Sequence, residues 1–146
     1  MKNKEKKRKF LNLYCTDLTQ KARDGKFDVI IGRDKETVFL LCLDAKCKVL
    51  GCKLVGEGSV NSAAVPIRRI VEMALGDNAT SVVLAHNHPS GLALPSGEDI
   101  QTTRRLSLAL RAVEIELVDH VVVADGDYVS LAQSGMYNPR ECSTLI

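Results

Sequence analysis

Hydrophobic residues recur along the first half of the chain with two spacings, which predict a β-hairpin followed by a helix. Two β-rich runs, 37–43 (TVFLLCL) and 47–55 (CKVLGCKLV), are separated by three residues and favour a hairpin. Pro66 stands where the first residue of a helix is expected, a position that accepts proline well. Apolar residues follow it at helical spacing up to Gly76. These residues are Ile67, Ile70, Val71, Ala74 and Leu75, and they predict an amphipathic helix.

The second half of the chain repeats this alternation around a loop that contains two histidines. The short apolar run 81–85 (SVVLA) predicts a central strand, and it leads directly into the segment HNHPSG. Ser96, followed three residues later by Asp99, has the form of a capping box that opens a second helix. The apolar face predicted for that helix consists of Leu106, Ala109, Leu110 and Val113.

Two further signals complete the pattern. Residues 117–124 and 127–131 are β-rich runs that flank Asp125-Gly126, a strong hairpin signal. Near the N-terminus, residues 13–24 predict a weak helix that ends at Gly25. The resulting order α, β, β, α, β, α, β, β predicts an α/β (α+β) fold in which flanking helices pack on one mixed sheet.

Length and composition favour one soluble globular domain. The chain has 146 residues, of which 45% are hydrophobic and 26% are charged, and these values are typical of globular proteins. The N-terminus lacks the apolar run and the small-residue cleavage site of a secretory signal. We therefore expect a cytoplasmic protein that does not enter a membrane.

Positive charge is concentrated at the N-terminus. The first nine residues contain six lysine and arginine residues and one glutamate, whereas the rest of the chain is mildly acidic. A basic tail can bind a nucleic-acid backbone, but a globular nucleic-acid reader normally carries its basic face on the fold itself. A disordered tail over residues 1–10 is therefore the favoured interpretation, and DNA contact through this tail is the alternative.

The five cysteines form an odd set without a Cys-x-x-Cys pair, and we expect them to be free thiols. They are Cys15, Cys42, Cys47, Cys52 and Cys142. The middle three lie in strand-like surroundings, where a cysteine usually packs as a small hydrophobic residue. A three-thiolate metal site is disfavoured, because structural zinc prefers four ligands and usually includes a close pair.

His86 and His88 are separated by one residue at the end of the apolar run 81–85. Side chains along a strand repeat their direction every second residue, so both imidazoles are expected on one face, close enough to share an ion. The alternative interpretation is a pair of polar residues that make ordinary hydrogen bonds at a strand end.

Asp99 adds a carboxylate to this pair, because it lies in the first turn of the next predicted helix. Two neutral imidazoles and one carboxylate leave a fourth tetrahedral position for water, which is the arrangement of a catalytic zinc site. The alternative is purely structural, since the helix dipole favours an acid in a first turn and Ser96 is a good N-cap residue.

Metal-assisted hydrolysis also needs a base that takes a proton from water and passes it to the leaving amine. Zinc lowers the pKa of a bound water to roughly 7, so such a base can act at neutral pH. Glu36 and Glu57 bracket the first predicted hairpin, one before its first strand and the other after its second. Spacing alone does not choose between them.

The segment HNHPSGLALPSGED, with Ser96 and Asp99 in these positions, resembles the His-x-His-Pro, Ser, Asp signature of the JAB/MPN (JAMM) metallo-isopeptidases. The residues NHPSG within this segment are more specifically similar to the bacterial RadC family. The resemblance runs from about Glu36 to Met136 and includes the segments GSVNSAAV, TRRL, DH and DGDYVSL.

This resemblance implies a single JAB/MPN-like, cytidine-deaminase-like domain over residues 11–138, with tails at 1–10 and 139–146. Full-length RadC proteins usually carry a helix-hairpin-helix module ahead of this domain, and we expect this chain to lack it because its length leaves no room. A DNA-repair role then has little support beyond the basic tail. Ile67 and Leu92 depart from the proline and the acidic residue common at these places, and we expect neither to touch the implied ligands.

The resemblance also implies Zn2+ as cofactor, held by His86, His88 and Asp99. Ser96 is implied to hold the water and the developing oxyanion. The family's glutamate precedes a strand in the way that Glu36 does here, so Glu36 is preferred as general base and Glu57 is kept in reserve.

The sequence therefore predicts a zinc-dependent metallohydrolase that cleaves a peptide or isopeptide bond in an unidentified protein or peptide. Asp119-His120 is a second family-like pair, either a satisfied histidine near the core or outer partners that orient a ligand imidazole. Two other functions stay open: a nucleic-acid-associated accessory protein and a catalytically silent JAB/MPN interaction module. Homo-oligomer formation is also left open.

Overall fold

The computed structural model describes residues 35–58 and 65–141. The predicted tail 1–10, the predicted helix 13–24 and most of the predicted tail 139–146 lie outside these residues. In the described part, strands and helices follow the predicted order β, β, α, β, α, β, β. They are β1 (Glu36–Leu43), β2 (Val49–Gly58), α1 (Ile67–Gly76), β3 (Ser81–Asn87), α2 (Gly97–Ala112), β4 (Glu116–Ala124) and β5 (Asp127–Ser130).

The five strands form one mixed sheet in the order β2-β1-β3-β4-β5. β3 and β4 run parallel, whereas the other neighbouring pairs are antiparallel. The connection between the two parallel strands contains α2, as expected because parallel neighbours need a long crossover. The predicted α/β (α+β) class with a mixed sheet and flanking helices is confirmed. No helix in the described ranges is both long and apolar enough to cross a membrane.

The first hairpin turns at Asp44, whose side chain organises the loop. Asp44 Oδ1 accepts hydrogen bonds from the backbone N–H groups of Lys46 and Lys48, both at 2.8 Å. Because this turn continues to Lys48, β2 begins at Val49, later than the predicted start at Cys47. The hairpin itself is confirmed.

The second hairpin turns at Asp125 and Gly126, which have positive φ angles of 43° and 78°. Two consecutive positive φ angles are the property of a type I′ turn, whose twist matches that of the strands it joins. The Asp-Gly signal therefore predicted the place of this hairpin turn correctly.

The main core lies between both helices and the sheet face that they cover. It includes Leu40 and Leu84 from the sheet and Leu106 and Leu110 from α2, all fully buried. The predicted apolar face of α2 is thus confirmed in its centre. Val113 is 37% exposed, because α2 ends at Ala112 and Val113 is only its C-cap.

Strand register brings three polar side chains to this helix-covered face. Cross-strand partners share a face, and Val38 pairs with His86 while Leu84 pairs with His120. Val38 and Leu84 belong to the main core, so His86 and His120 lie on the same side as the helices. Glu36 stands two residues before Val38 on β1, and strand alternation directs it to that side as well.

Cys42 and Cys47 are free thiols, as predicted, whereas Cys15 and Cys142 lie outside the described residues. Cys42 belongs to the main core, and burial raises the pKa of its thiol to about 11. Among the described residues, the group of side chains that could hold a metal contains no cysteine.

Candidate metal centre

Four side chains converge where β1 begins and β3 ends. Glu36, His86, His88 and Asp99 each offer one donor atom, and these atoms all lie within 4.8 Å of one another. The structure thus brings together the three side chains predicted as ligands and the preferred glutamate, although the first of them and the last are 63 positions apart in the chain. A group of this composition could hold a metal ion.

The two imidazoles face each other through their Nε2 atoms, which are 2.8 Å apart. Asp99 Oδ1 lies 3.3 Å from His86 Nε2, and Asp99 Oδ2 lies 3.2 Å from His88 Nε2. In a tetrahedral zinc site with bonds of about 2.0–2.2 Å, neighbouring ligand atoms are about 3.3 Å apart. The two distances to Asp99 match this spacing and the Nε2–Nε2 distance is about 0.5 Å shorter, so these side chains could close around one metal ion.

Asp99 reaches the histidines from the first turn of α2, where it also takes part in a capping box. Its carboxylate accepts the Ser96 backbone N–H at 2.7 Å, and Ser96 Oγ accepts the Asp99 N–H at 3.1 Å. Burial alone would raise the pKa of Asp99, but its contact with the His86 imidazole and the hydrogen bonds from Ser96 hold it well below its usual value. Asp99 is thus an ionised side chain that caps α2 and also belongs to the group of side chains that could hold a metal ion.

The loop after β3 is held by hydrogen bonds that orient His88. Its backbone N–H donates to Val123 O at 2.8 Å, and its Nδ1 lies 3.1 Å from Leu92 O. The expectation that Leu92 does not touch the ligands was therefore wrong, because its backbone carbonyl group reaches His88. Gly91 has a φ of 82°, and a Cβ there would lie 2.6 Å from Asp125 Oδ2. The positive φ favours glycine, and the short distance to the Asp125 side chain shows that this loop approaches the β4–β5 turn closely.

The two candidate glutamates differ in position. Glu36 is half-buried with Oε1 3.7 Å from His86 Nε2, and burial raises the pKa of its carboxyl, with the Asp99 carboxylate acting in the same direction. Glu57 is exposed within β2 rather than after it, and it pairs with Thr37. Because neighbours along a strand alternate in direction, Glu57 points to the opposite side of the sheet from Glu36.

Asn87, between the two histidines, holds the backbone on either side of Glu36. Its Oδ1 accepts the Thr37 N–H at 2.6 Å, and its Nδ2 donates to Lys35 O at 3.0 Å. The side chain is buried, and its hydrogen bond with Thr37 is shielded from water, whereas the bond to Lys35 is partly buried. Sequence analysis gave Asn87 no role, and its position inside the His-x-His segment was the only local signal.

Asp119 and His120 are adjacent in the chain but face different parts of the protein. His120 is buried with Nε2 2.6 Å from His86 Nδ1, and burial lowers its pKa to about 3, so the imidazole is neutral. Asp119 accepts hydrogen bonds from the Ser130 hydroxyl and from the Ala132 N–H, the latter at 3.0 Å, and so holds the turn after β5. His120 is therefore both a buried core residue and a neighbour of the donor group.

The donor group lies in an open cleft of about 720 Å³. Val38 and Leu84 contribute to its lining from the sheet, and Arg105 contributes from α2. On the loop after β3, Leu92 and Leu94 line the cleft while remaining 68% and 65% exposed. The cleft thus places apolar contact surface next to a polar, partly buried centre.

A family model described as a RadC-like JAB domain matches residues 9–136. A UPF0758 protein of Photobacterium profundum is 45% identical over 116 residues, which cover 80% of this chain and 52% of that protein. A UPF0758 protein of Vibrio vulnificus (strain YJ016) is 46% identical over 103 residues, or 70% of this chain and 46% of the relative. The chain spans about half the length of the curated relatives it matches.

Proposed function

This chain belongs to the RadC family, and from that premise we propose that it is a zinc-dependent metallohydrolase that cleaves a peptide or isopeptide bond. The observation that carries the proposal is the convergence of two imidazole nitrogens and one carboxylate at 2.8–3.3 Å, with a second carboxylate beside them. Two imidazoles and one carboxylate match the ligand sets of catalytic zinc sites, which keep one position open.

The proposed zinc ligands are His86 Nε2, His88 Nε2 and one carboxylate oxygen of Asp99. A bound zinc ion would lower the pKa of water to about 7 and polarise the carbonyl group of the substrate. Asp99 suits this role because its depressed pKa keeps it ionised across the physiological range. Both imidazoles are held in place through their other ring nitrogens.

Glu36 is proposed as the general base. Its Oε1 is 3.7 Å from His86 Nε2, farther than the ligand atoms are from one another, so it stands beside the donor set. Its raised pKa favours a carboxyl group that holds a proton for part of the reaction. Glu36 would take this proton from water and pass it to the leaving amine.

Ser96 is proposed to stabilise the negative charge that develops on the substrate oxygen. Its Oγ already accepts the Asp99 N–H, which leaves its hydroxyl proton as a donor. Ser96 lines the same cleft as Glu36. A preorganised donor at this place would act mainly on the transition state, where the oxygen carries most charge.

The substrate is proposed to be an extended stretch of a protein or peptide. The cleft is open, and the exposed Leu92 and Leu94 offer apolar contacts beside the donor group. Their positions suit substrate side chains next to the bond that is cleaved. The protein is proposed to act on this substrate in the cytoplasm.

Zinc titration tests the metal site directly. Protein dialysed against a chelator is expected to take up one zinc ion per chain and to melt at a higher temperature, because a ligand at 100 times its Kd stabilises the folded state by about 2.7 kcal/mol. Magnesium is the control ion, since it prefers oxygen ligands and should have a much smaller effect. Absence of zinc uptake together with an unchanged Tm would contradict the proposal.

Asn87→Ala is expected to reduce turnover while leaving zinc affinity close to that of the wild type. Loss of both hydrogen bonds frees the backbone around Glu36, and a misplaced catalytic group can cost about 100-fold in rate. Rates on a panel of linear and lysine-branched peptides and zinc affinities by chelator competition are the measurements. Asn138→Ala, which removes a side-chain acceptor for the Arg140 N–H far from the cleft, is the matched control. Equal turnover of the two variants would reject this role of Asn87.

The other two functions give different outcomes. A silent interaction module would bind zinc but turn over no member of the peptide panel. A nucleic-acid-associated protein would bind DNA with a strong salt dependence that disappears on deletion of residues 1–9, a segment outside the described residues.

A further inference from the structure

We propose that Thr103 and His120 are positioning residues that keep a proton on His86 Nδ1 and so direct the Nε2 lone pair of His86 to the metal. This inference rests on the proposed zinc site and deepens it. It is carried by a chain of three hydrogen bonds, each 2.6 Å long, that runs from the Asp99 carbonyl oxygen through Thr103 and His120 to His86.

The direction of the chain is set at its first member. A backbone carbonyl oxygen only accepts hydrogen bonds, so in the 2.6 Å contact with Asp99 O the Thr103 hydroxyl must be the donor. A hydroxyl group has one proton, and this contact uses it. Thr103 Oγ1 can therefore only accept in its contact with His120.

The next two contacts follow from that constraint. His120 Nδ1 lies 2.6 Å from Thr103 Oγ1 and must carry the proton that forms this bond. The two ring nitrogens of the buried His120 face a hydroxyl group and an imidazole rather than a carboxylate. Because a buried imidazolium without a counter-charge is unfavourable, Nε2 carries no proton and accepts. His86 Nδ1, 2.6 Å away, must donate this hydrogen bond. The proton of His86 therefore lies on the side of the ring that faces away from the proposed zinc site.

The three hydrogen bonds therefore connect two of the proposed zinc ligands. His86 on β3 is joined through His120 on β4 and Thr103 on α2 to the backbone of Asp99, one turn earlier on α2. His88 has an independent arrangement, in which Nδ1 faces the carbonyl oxygen of Leu92 at 3.1 Å. Both imidazoles thus present Nε2 to the same point.

The chemical character of these outer partners matters for the metal. Ligand histidines commonly donate to a carboxylate, which makes the imidazole more basic. Here the partners are a neutral imidazole and a carbonyl oxygen, while the nearby Asp119 carboxylate is occupied by Ser130 and Ala132. A zinc ion would keep more of its positive charge in this setting and polarise a substrate carbonyl more strongly.

Thr103→Val tests the chain, because valine keeps the branched shape and removes the hydroxyl group. His120 then loses its Nδ1 acceptor and is free to carry its proton on Nε2, which forces the His86 proton to the metal-facing nitrogen. Zinc affinity, measured by chelator competition, is expected to fall about 10–100-fold, as for other outer-sphere partners. Thr103→Ser, which restores the hydroxyl, is expected to recover most of the affinity.

Ser107→Ala is the control for a general effect on α2. Ser107 is buried one turn after Thr103, and its hydroxyl lies 2.8 Å from the Tyr137 hydroxyl, which donates its own proton to Leu117 O; neither contact involves the proposed zinc ligands. This variant is expected to lose stability without losing zinc affinity. Wild-type zinc affinity in Thr103→Val, or an equal loss in Ser107→Ala, would overturn the proposal.

A second measurement uses the wild-type protein and does not depend on any variant. Long-range 1H–15N NMR of the zinc-free protein at pH 8 reports which ring nitrogen of each histidine carries the proton. The proposal requires protonated Nδ1 on His86 and on His120, and an unprotonated His86 Nδ1 overturns it. Neither measurement involves turnover. A protein that binds zinc with these three hydrogen bonds in place but hydrolyses nothing would therefore disprove the proposed function and leave this inference standing.

Discussion

Glu36→Gln is expected to lower hydrolysis by about 10²–10⁴-fold, which is the contribution typical of a general acid–base group. Glutamine keeps the size of the side chain and its place between Lys35 and Thr37, but its amide does not take up a proton at neutral pH. Zinc affinity should change much less than turnover, because Glu36 stands outside the proposed ligand set. Turnover on the peptide panel and zinc affinity, measured on the same preparation, separate the two effects.

Glu57→Gln is the matched control, since it makes the same chemical change on the neighbouring strand. Glu57 is exposed on the opposite side of the sheet, so its substitution should leave both turnover and zinc affinity at the wild-type level. Full activity in Glu36→Gln together with an inactive Glu57→Gln would reverse the assignment of the base.

Asp99→Asn is expected to weaken zinc binding by more than about 100-fold, beyond the range for outer-sphere partners. The change removes the negative charge among the proposed ligands but retains an oxygen that can accept the Ser96 N–H. The capping box and α2 should therefore survive, and the zinc-free variant should melt near the wild-type temperature. Zinc affinity and the melting curve of the zinc-free protein are the two measurements.

Glu98→Gln controls for the loss of a negative charge at the start of α2. Glu98 precedes Asp99 in the same first turn and is exposed, so solvent screens its charge. Its substitution should leave zinc affinity nearly unchanged. Similar affinities of the two variants would show that Asp99 acts through the general field of the helix terminus, and the direct ligand assignment would then be wrong.

Much of the fold was predictable because its signals are local. The Asp125-Gly126 turn, the Ser96–Asp99 capping box and the end of α1 at Gly76 each depend on a few adjacent residues. The prediction of one shared face for the two histidines depended only on strand alternation. Errors arose at boundaries, such as the start of β2, where the Asp44 side chain extends the turn.

The choice of base could not be made from spacing, because it depends on which side of the sheet each glutamate faces. Glu36 and Glu57 are symmetrical in the chain, one at each end of a hairpin, and the resemblance to a family supplied the preference. Strand pairing places Glu57 opposite Thr37 rather than Glu36, which separates the two carboxylates. This register is a property of the assembled sheet.

The amino-acid sequence by itself determined the elements, their order and the identity of the side chains able to hold a cation, because periodicity, turn chemistry and donor type are properties of short segments. Tertiary structure alone decided that His120 touches His86, that Thr103 meets His120 and that Asn87 spans the backbone around Glu36. These contacts join residues 17 to 50 positions apart. The packing of β1, β4 and α2 around the end of β3 sets such distances, and no local pattern encodes them.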